Sequence, residues 1–474
     1  MKRHSIARAV VAPLLWCAAA NLVFPADAPP SAPKAQQGLQ RYIYAALPDG
    51  SQHCIGGTRG KEPEIQGIVV LDIDDGCRYI KTITTPAFAE FRAGFLGEAP
   101  GHPGLVLPFQ GGIRGICGHT GTRRLWYTFK GHPWGSRDKA YRDCAGVLGC
   151  LDVETGKPLW EVTLFLDEDE KSPKHRVGCG ELAVTPDGKK LYVTNENPGS
   201  VSTVWDAATG RLLATLPTGS GGVCGNAIMS PDGKVVYIGH GAQKVDTATD
   251  KIVAPKNWCE SPGAGAHFSL DATGKRLYAT WDVVGRDCSC LVFSTETGKV
   301  LDRFVPPETG PLSRSSFKGG LSRTHEGSFT PGGDRFWLCD MGGSIPRDLV
   351  SQFPRLFQVA DGAGEGRRGG KLMTEWDVSK TPATLVRAIE VRSPGHCHAH
   401  ALVTREGDLL LTGNGYALDV ATGEVKGIWK DENGKWFQCT KFLQVNFRDG
   451  KVDWVGQRHG AGWLYDVPAL SEKE

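Results

Sequence analysis

A short phrase recurs along the chain and fixes most of what it can fold into. Thr185-Pro186-Asp187-Gly188 opens onto Lys189-Lys190-Leu191-Tyr192-Val193-Thr194-Asn195, and Ser230-Pro231-Asp232-Gly233 onto Lys234-Val235-Val236-Tyr237-Ile238. Asp271-Ala272-Thr273-Gly274 leads in the same way into Lys275-Arg276-Leu277-Tyr278-Ala279, and looser copies turn at Gly121, Gly333, Gly407 and Gly450. A Pro/Asp/Gly turn followed by an alternating, β-rich run is a hairpin signal. A second phrase follows each first one, as in Leu151-Asp152-Val153-Glu154-Thr155-Gly156-Lys157 and Trp205-Asp206-Ala207-Ala208-Thr209-Gly210-Arg211, and marks a second hairpin. Two hairpins make four strands. A period of about 40 to 45 residues in the shortest copies is that of a β-propeller blade.

Seven inner turns, from Gly121 to Gly450, predict an all-β propeller of seven four-stranded blades, with eight as the alternative. Near the N-terminus, Arg41 to Ala46, Ile68 to Asp72 and Tyr79 to Ile83 read as strands that lack an innermost partner. At the other end, Phe442 to Phe447, Val452 to Gly456 and Trp463 to Val467 lack an outermost one. Pairing the two sets closes the ring and removes its exposed edges. Six strands exceed one blade, which is what keeps an eighth in view.

Tyr192-Val193-Thr194-Asn195 spells the tetrapeptide of the YVTN β-propellers, and the flanking phrases resemble that family's blade. The run from Gly146 to Trp160, through Leu151-Asp152-Val153-Glu154-Thr155-Gly156-Lys157, is similar to a blade of quinoprotein propellers. The resemblance spans nearly all of the chain beyond Gln40. It places the chain in the superfamily of quinoprotein amine dehydrogenase beta chain-like and WD40-like propellers. It implies a fold and leaves the function open, because that superfamily holds enzymes, enzyme subunits and binding scaffolds.

Composition narrows the classes further. Lys plus Arg number 54 against 52 Asp plus Glu, a net charge of +2 that argues against nucleic acid as a partner. With 13 Trp and 18 Phe the chain has the means to build a core, which argues against disorder. The 62 Gly show no Gly-X-Y period and are read as turn residues. Lys2, Arg3 and Arg8 before the apolar run Ala9 to Ala20 describe a secretory signal peptide over 1–26, cleaved somewhere between 20 and 28. A Pro-rich spacer over 27–38, a propeller over 39–470 and a tail over 471–474 complete the expected organisation. The expected destination is periplasmic or secreted, with no membrane span after the signal.

Loss of Cys17 with the signal would leave an odd number from the 14 Cys, in a compartment that permits disulfides. Cys179 and Cys224 hold equivalent places on neighbouring inner strands and are a candidate bridge. Cys144 and Cys150 are a second pair, able to close a loop. No Cys-x-x-Cys-His occurs, so a c-type haem is not expected.

In such a blade both hairpin turns lie on one face of the disc, and the remaining connections lie on the other. The long segments are all of the second kind: Ser51 to Gln66, Thr85 to Gly111, Lys130 to Gly146, Asp167 to Val177, Pro306 to Leu321 and Met341 to Lys371. Loops on a rigid scaffold carry function. Seven residues before each turn glycine stand Arg114, Glu181, Asn226, His267, Glu326, His400 and Leu443. Alternation along a strand turns equivalent positions the same way. Six of these are polar, and we expect them to surround the axial mouth beneath the long loops as a ligand site. Nine residues before the glycines come Gly112, Cys179, Cys224, Gly265, Thr324, His398 and Lys441, one layer nearer that mouth.

His396-Cys397-His398-Ala399-His400 puts three imidazoles on one face of an extended strand. With His267 and Glu326 they form a candidate site for Cu, Zn or Fe, since imidazole and carboxylate together suit those ions. No Walker-type phosphate loop, Gly-x-Ser-x-Gly or His-Glu-x-x-His accompanies them. The sequence therefore predicts an exported propeller that binds a partner protein or small ligand through its long-loop face. The alternative is a metal-dependent oxidoreductase or hydrolase at the axis, or a propeller subunit of a quinoprotein-like dehydrogenase. Whether the chain is an enzyme, which cofactor it takes and its oligomeric state are open at this level.

Overall fold

The computed structural model describes residues 38–47, 66–93, 95–98, 106–108, 112–130, 146–164, 180–194, 202–217, 227–239, 241–254, 258–259, 267–280, 288–317, 321, 324–340, 344–360, 368–393 and 400–456. The chain divides into two compact units, Met1–Ala32 and Pro33–Glu474, and every described residue belongs to the second. The expected signal, most of the spacer and the strand Trp463 to Val467 lie outside the described residues.

The recurring turn explains itself at Thr185-Pro186-Asp187-Gly188. The Gly188 N–H donates to the Thr185 carbonyl at 2.8 Å, and Asp187 Oδ1 accepts from the Thr185 hydroxyl at 2.6 Å and the Lys189 amide at 3.1 Å. Gly188 sits at φ +68°, the left-handed region where a Cβ is penalised. Ser230-Pro231-Asp232-Gly233 repeats the pattern. The turns also stack around the ring. A Cβ on Gly233 would lie 2.7 Å from Pro186 Cδ of the preceding turn, and one on Gly274 2.7 Å from Pro231 Cδ. His119 takes the corresponding place at the first turn, its Nδ1 accepting from the Thr122 amide and its Nε2 donating to the Pro186 carbonyl at 2.9 Å.

Seven sheets form the blades of the ring. Blade 1 runs Gly112–His119, Arg124–Lys130, Gly146–Asp152 and Pro158–Leu164 from the inner strand outward. Blade 2 runs from Leu182–Val184 to Leu212–Leu216, blade 3 from Ala227–Met229 to Lys251–Ala254, and blade 4 from His267–Leu270 to Val300–Arg303. Blade 5 begins at Thr324–Phe329, and blade 6 runs from Ala401–Val403 to Val425–Ile428. Apolar clusters fill the spaces between consecutive blades, for example Cys117, Trp126, Leu148 and Cys150 of blade 1 against Leu182, Val184, Leu191 and Trp205 of blade 2. Strand aromatics lock onto the next blade's outer turn: Trp126 Nε1 donates to the Ala207 carbonyl at 3.0 Å, and the Tyr192 hydroxyl to Asp250 Oδ1 at 2.5 Å.

Blade 7 closes the ring with both ends of the propeller. Its order is Arg78–Ile83, Gly67–Asp72, Leu39–Leu47, Phe442–Arg448 and Lys451–Val455. Leu39–Leu47 and Phe442–Arg448 pair in register from Leu39↔Arg448 to Ala45↔Phe442. Seven blades, not eight, absorb these strands, because the surplus Lys451–Val455 joins as a fifth. It lies against blade 1, where the Val455 amide donates to Thr120 Oγ1 at 3.1 Å. Arg41, from the N-terminal strand, clamps the seam: its guanidinium meets Asp74 and Asp408 at 2.6 Å each and Glu406 at 3.3 Å.

Among the described residues, two of the expected face insertions carry strands of their own. The helix Pro86–Ala93 and the two-stranded sheet Phe95–Glu98 with Val106–Pro108 lie in the connection from blade 7 to blade 1. Glu161 of blade 1 anchors that insertion, accepting from the Ala87 amide at 3.1 Å, the Thr85 hydroxyl at 2.5 Å and the Tyr127 hydroxyl. The Met341 to Lys371 segment departs from a simple face loop. After the helix Arg347–Gln352 its strand Phe357–Ala360 pairs in parallel with Thr384–Ser393 and covers the outer edge of blade 5.

Burial alone would raise the Asp408 pKa, but the hydrogen bond and charge of Arg41, with the Thr404 hydroxyl, hold it below the ordinary carboxylate value. A depressed carboxylate contributes stability above its unfolded pKa and loses it as pH falls through the folded one. Arg41→Met should therefore cost about 2–4 kcal/mol at pH 7. The gap to the wild type should narrow below about pH 4, where carboxylates take up protons. Urea denaturation at pH 7 and pH 3 reads both effects.

Candidate functional site at the axial mouth

The inner strands of the blades begin on the face that carries the insertions, so their first residues come together around the axis there. Glu181, just before the first strand of blade 2, forms an ion pair with Lys441, just before Phe442–Arg448 of blade 7. The two belong to blades separated by blade 1, so the pair spans part of the mouth. Their side chains are 4% and 3% exposed, which makes this a buried charge pair whose members depend on each other. Thr194 holds the Glu181 backbone in place: the Glu181 amide donates to Thr194 Oγ1 at 2.9 Å. Thr194 is the third residue of the Tyr-Val-Thr-Asn run.

A second pair crosses the other side. His267 of blade 4 and His400, which enters blade 6, pack edge to face with ring centroids 6.3 Å apart and an interplanar angle of 80°. Blade 5 lies between them in the ring. Both rings are buried, at 5% and 1% exposure. Arg114, in the inner strand of blade 1, is buried as well. Leu443, the one apolar residue at this level, faces away from the mouth into the core between blades 7 and 1 with Ile113, Ile116 and Val455.

Four of the sequence-derived site residues are thus placed: Arg114, Glu181, His267 and His400. Asn226, His396 and His398 lie outside the described residues, as does the side chain of Glu326, whose backbone belongs to the inner strand of blade 5. Among the described residues no group of three or more His, Cys, Asp and Glu is arranged to hold a metal ion.

Cys179 and Cys224 also lie outside the described residues. The described cysteines, Cys77, Cys117, Cys150, Cys259, Cys288, Cys290, Cys339 and Cys439, are all buried thiols. The expected Cys144–Cys150 bridge is corrected by this: Cys150 is a thiol that packs in the blade 1–blade 2 core with Trp126 and Leu182, and Cys144 lies outside the described residues. Burial pushes the Cys150 thiol up to about 12, so it packs as an apolar residue.

The sequence reading missed a group of polar residues beside His400. Blade 6 has only a tight turn, Gly413–Gly415, where blade 5 has a long insertion. The Gly413 N–H donates to the His400 carbonyl at 2.9 Å, and its carbonyl accepts from the Cys439 amide at 2.9 Å, two residues before Lys441. The turn therefore joins the imidazole side of the mouth to the ion-pair side. Thr412 and Asn414 flank Gly413, and both are fully buried. Nothing in the repeat marks them, because the turn belongs to neither recurring phrase. On the same face, the Pro306 to Leu321 segment forms a groove of about 460 Å³ lined by Val305, Pro306, Pro307, Glu308, Arg314 and Ser315.

Removing one partner of a buried ion pair leaves a lone buried charge, which typically costs about 3–5 kcal/mol. Lys441→Met should destabilise by that order, and the double variant Glu181→Gln/Lys441→Met should recover most of the loss. A double-mutant cycle by urea denaturation measures the coupling.

No family model matches the chain, and no curated protein does. Among the helices described, none is long and apolar enough to cross a membrane. Two solved structures are similar in fold. One is the hydrazine synthase of Kuenenia stuttgartiensis, 17% identical over 65% of this chain and 76% of that one, with a TM-score of 0.44. The other is a protein assigned as a 6-phosphogluconolactonase from Bacteroides uniformis, 13% identical over 86% of this chain and all of that one, with a TM-score of 0.48.

Proposed function

We propose that this chain is an exported, YVTN-type β-propeller that binds a small polar ligand or a partner protein through its long-loop face and axial mouth. One observation carries the reading. Side chains from blades 2 and 7, and from blades 4 and 6, reach across the mouth to one another and are buried there. A core assembled for stability alone has little use for such groups, since desolvating charges and imidazoles is unfavourable unless something repays it. Pockets with a few convergent polar groups are where ligands bind. The basic start and apolar run of residues 1–26 support export to the periplasm or medium. The Tyr-Val-Thr-Asn run and its flanking phrases support the YVTN relation.

The binding reading is tested by thermal shift of the purified protein against fractionated small-molecule and protein extracts of its host. At least one fraction should stabilise the wild type and leave His267→Ala/His400→Ala unmoved. If no fraction stabilises the wild type, the reading fails.

A metal-dependent activity is the second reading, and the His267–His400 pair favours it. Both imidazoles are buried beside the axis, and neutral imidazole nitrogens are ligands for Cu, Zn and Fe. His396 and His398 precede His400 at alternate positions, and Glu326 belongs to the intervening blade. Such an ion would polarise a substrate or activate water. Elemental analysis of the purified protein should then find about one Cu, Zn or Fe per chain, lost in His398→Ala/His400→Ala. A metal-free protein whose melting temperature ignores added Cu and Zn would remove this reading.

A further inference from the structure

The fifth strand of blade 7, Lys451–Val455, pairs with Phe442–Arg448 on the side away from Leu39–Leu47, and so lies toward the axis. It runs antiparallel to Phe442–Arg448 and therefore climbs from the turn face toward the mouth. Its upper end is held firmly. Trp454 is 1% exposed, with the Arg405 guanidinium of blade 6 5.3 Å from its ring centroid. The Val455 amide donates to Thr120 Oγ1 of blade 1, and the Gly456 amide to the Gln444 carbonyl at 2.9 Å.

Two registers set the height that the following residues reach. Val455 stands opposite Val445 and Trp454 opposite Asn446, and the Gly456–Gln444 bond extends that pairing by one residue. Continued at the same register, it puts Gln457 opposite Leu443, Arg458 opposite Phe442 and His459 opposite Lys441. The inner strand of blade 1 supplies the second measure. A Cβ on its Gly118 would strike Val455 Cγ1, and one on its Gly115 would lie 3.1 Å from Glu181 Cα. Glu181 is thus about 10 Å nearer the mouth than Val455, which extended chain covers in three or four residues. Both measures arrive at positions 458 and 459, level with the Glu181–Lys441 pair. Alternation separates these two. Val455 packs with Leu443, Val445, Ile113 and Ile116 toward blade 1, a face that position 459 shares, whereas position 458 shares the face of Trp454.

Glu181 lacks one partner at this level. Lys441 takes its Oε1, and its Oε2 is buried without a hydrogen bond, which a buried carboxylate oxygen rarely tolerates. We propose that His459, which lies beyond the described residues, is a further residue of the axial mouth and donates an imidazole N–H to Glu181 Oε2. The carboxylate then orients the ring, and its second nitrogen is an acceptor. On the reading that the mouth is a binding site, this nitrogen meets a hydroxyl or amine donor of the ligand.

The full-length protein with p-benzoylphenylalanine in place of His459 tests the position. Irradiation followed by trypsin digestion should join residue 459 to the peptide 177–189, which contains Glu181. Cross-links that miss this peptide, or none within the chain, overturn the assignment. A double-mutant cycle of His459→Phe with Glu181→Gln, by urea denaturation, reads the same contact without a bulky probe. A coupling of about fivefold or more in the folding constant is expected, and additive effects overturn the hydrogen bond. Any extract fraction that stabilises the wild type should shift the melting temperature of His459→Phe less, and an equal shift removes the ligand contact. If no fraction stabilises the wild type, the binding reading and this ligand contact fall together, and the cross-link and the cycle alone decide the contact with Glu181.

Discussion

Everything in this molecule rests on the pairing of Leu39–Leu47 with Phe442–Arg448. A propeller is a sheet array bent into a ring, and an open ring would leave two strand edges and two apolar blade faces in water. The closing ladder joins residues some four hundred positions apart in the chain, so its loop-closure entropy is met only once the intervening blades have stacked. Arg41 adds a charged clamp at the same seam, gathering Asp74 next to its own strand and Glu406 and Asp408 from the turn of blade 6. The axial mouth depends on this closure directly. Lys441 is delivered to Glu181 only because the C-terminal strand that follows it is held in blade 7.

The stacked turns and the mouth stand at opposite ends of the same inner strands. On the turn side, glycines nest against the prolines of preceding turns and fix the angle between blades. On the other side, connections vary in length, and polar residues meet across the axis. The rigid end is what lets the variable end hold side chains from four blades at hydrogen-bonding and ring-contact distance.

Much of the fold was legible because its signals are local. A Thr-Pro-Asp-Gly turn forms from hydrogen bonds within six residues, and the strand after it shows its alternation without help from distant chain. The same periodicity selected Arg114, Glu181, His267 and His400 as residues of one level. It could not say which of them touch. It also treated Cys150 as a loop staple, whereas the facing of its strand sends it into the core between blades. Thr412 and Asn414 escaped because their turn is peculiar to blade 6 and carries no repeated signature. The Met341 to Lys371 segment looked like a face loop, and its return as a parallel edge strand on blade 5 is a choice made by an exposed sheet edge.

By itself, then, the sequence determined the blade: two turns, four strands, their alternation and their repetition, all set by short-range sterics and hydrogen bonding. Tertiary structure alone decided the partners across the axis. Glu181 and Lys441 stand 260 residues apart, and nothing near either one marks the other. Their encounter, like that of His267 with His400, follows from the curvature of a closed ring. That curvature is a sum of small rotations from blade to blade, and no single stretch of sequence contains it.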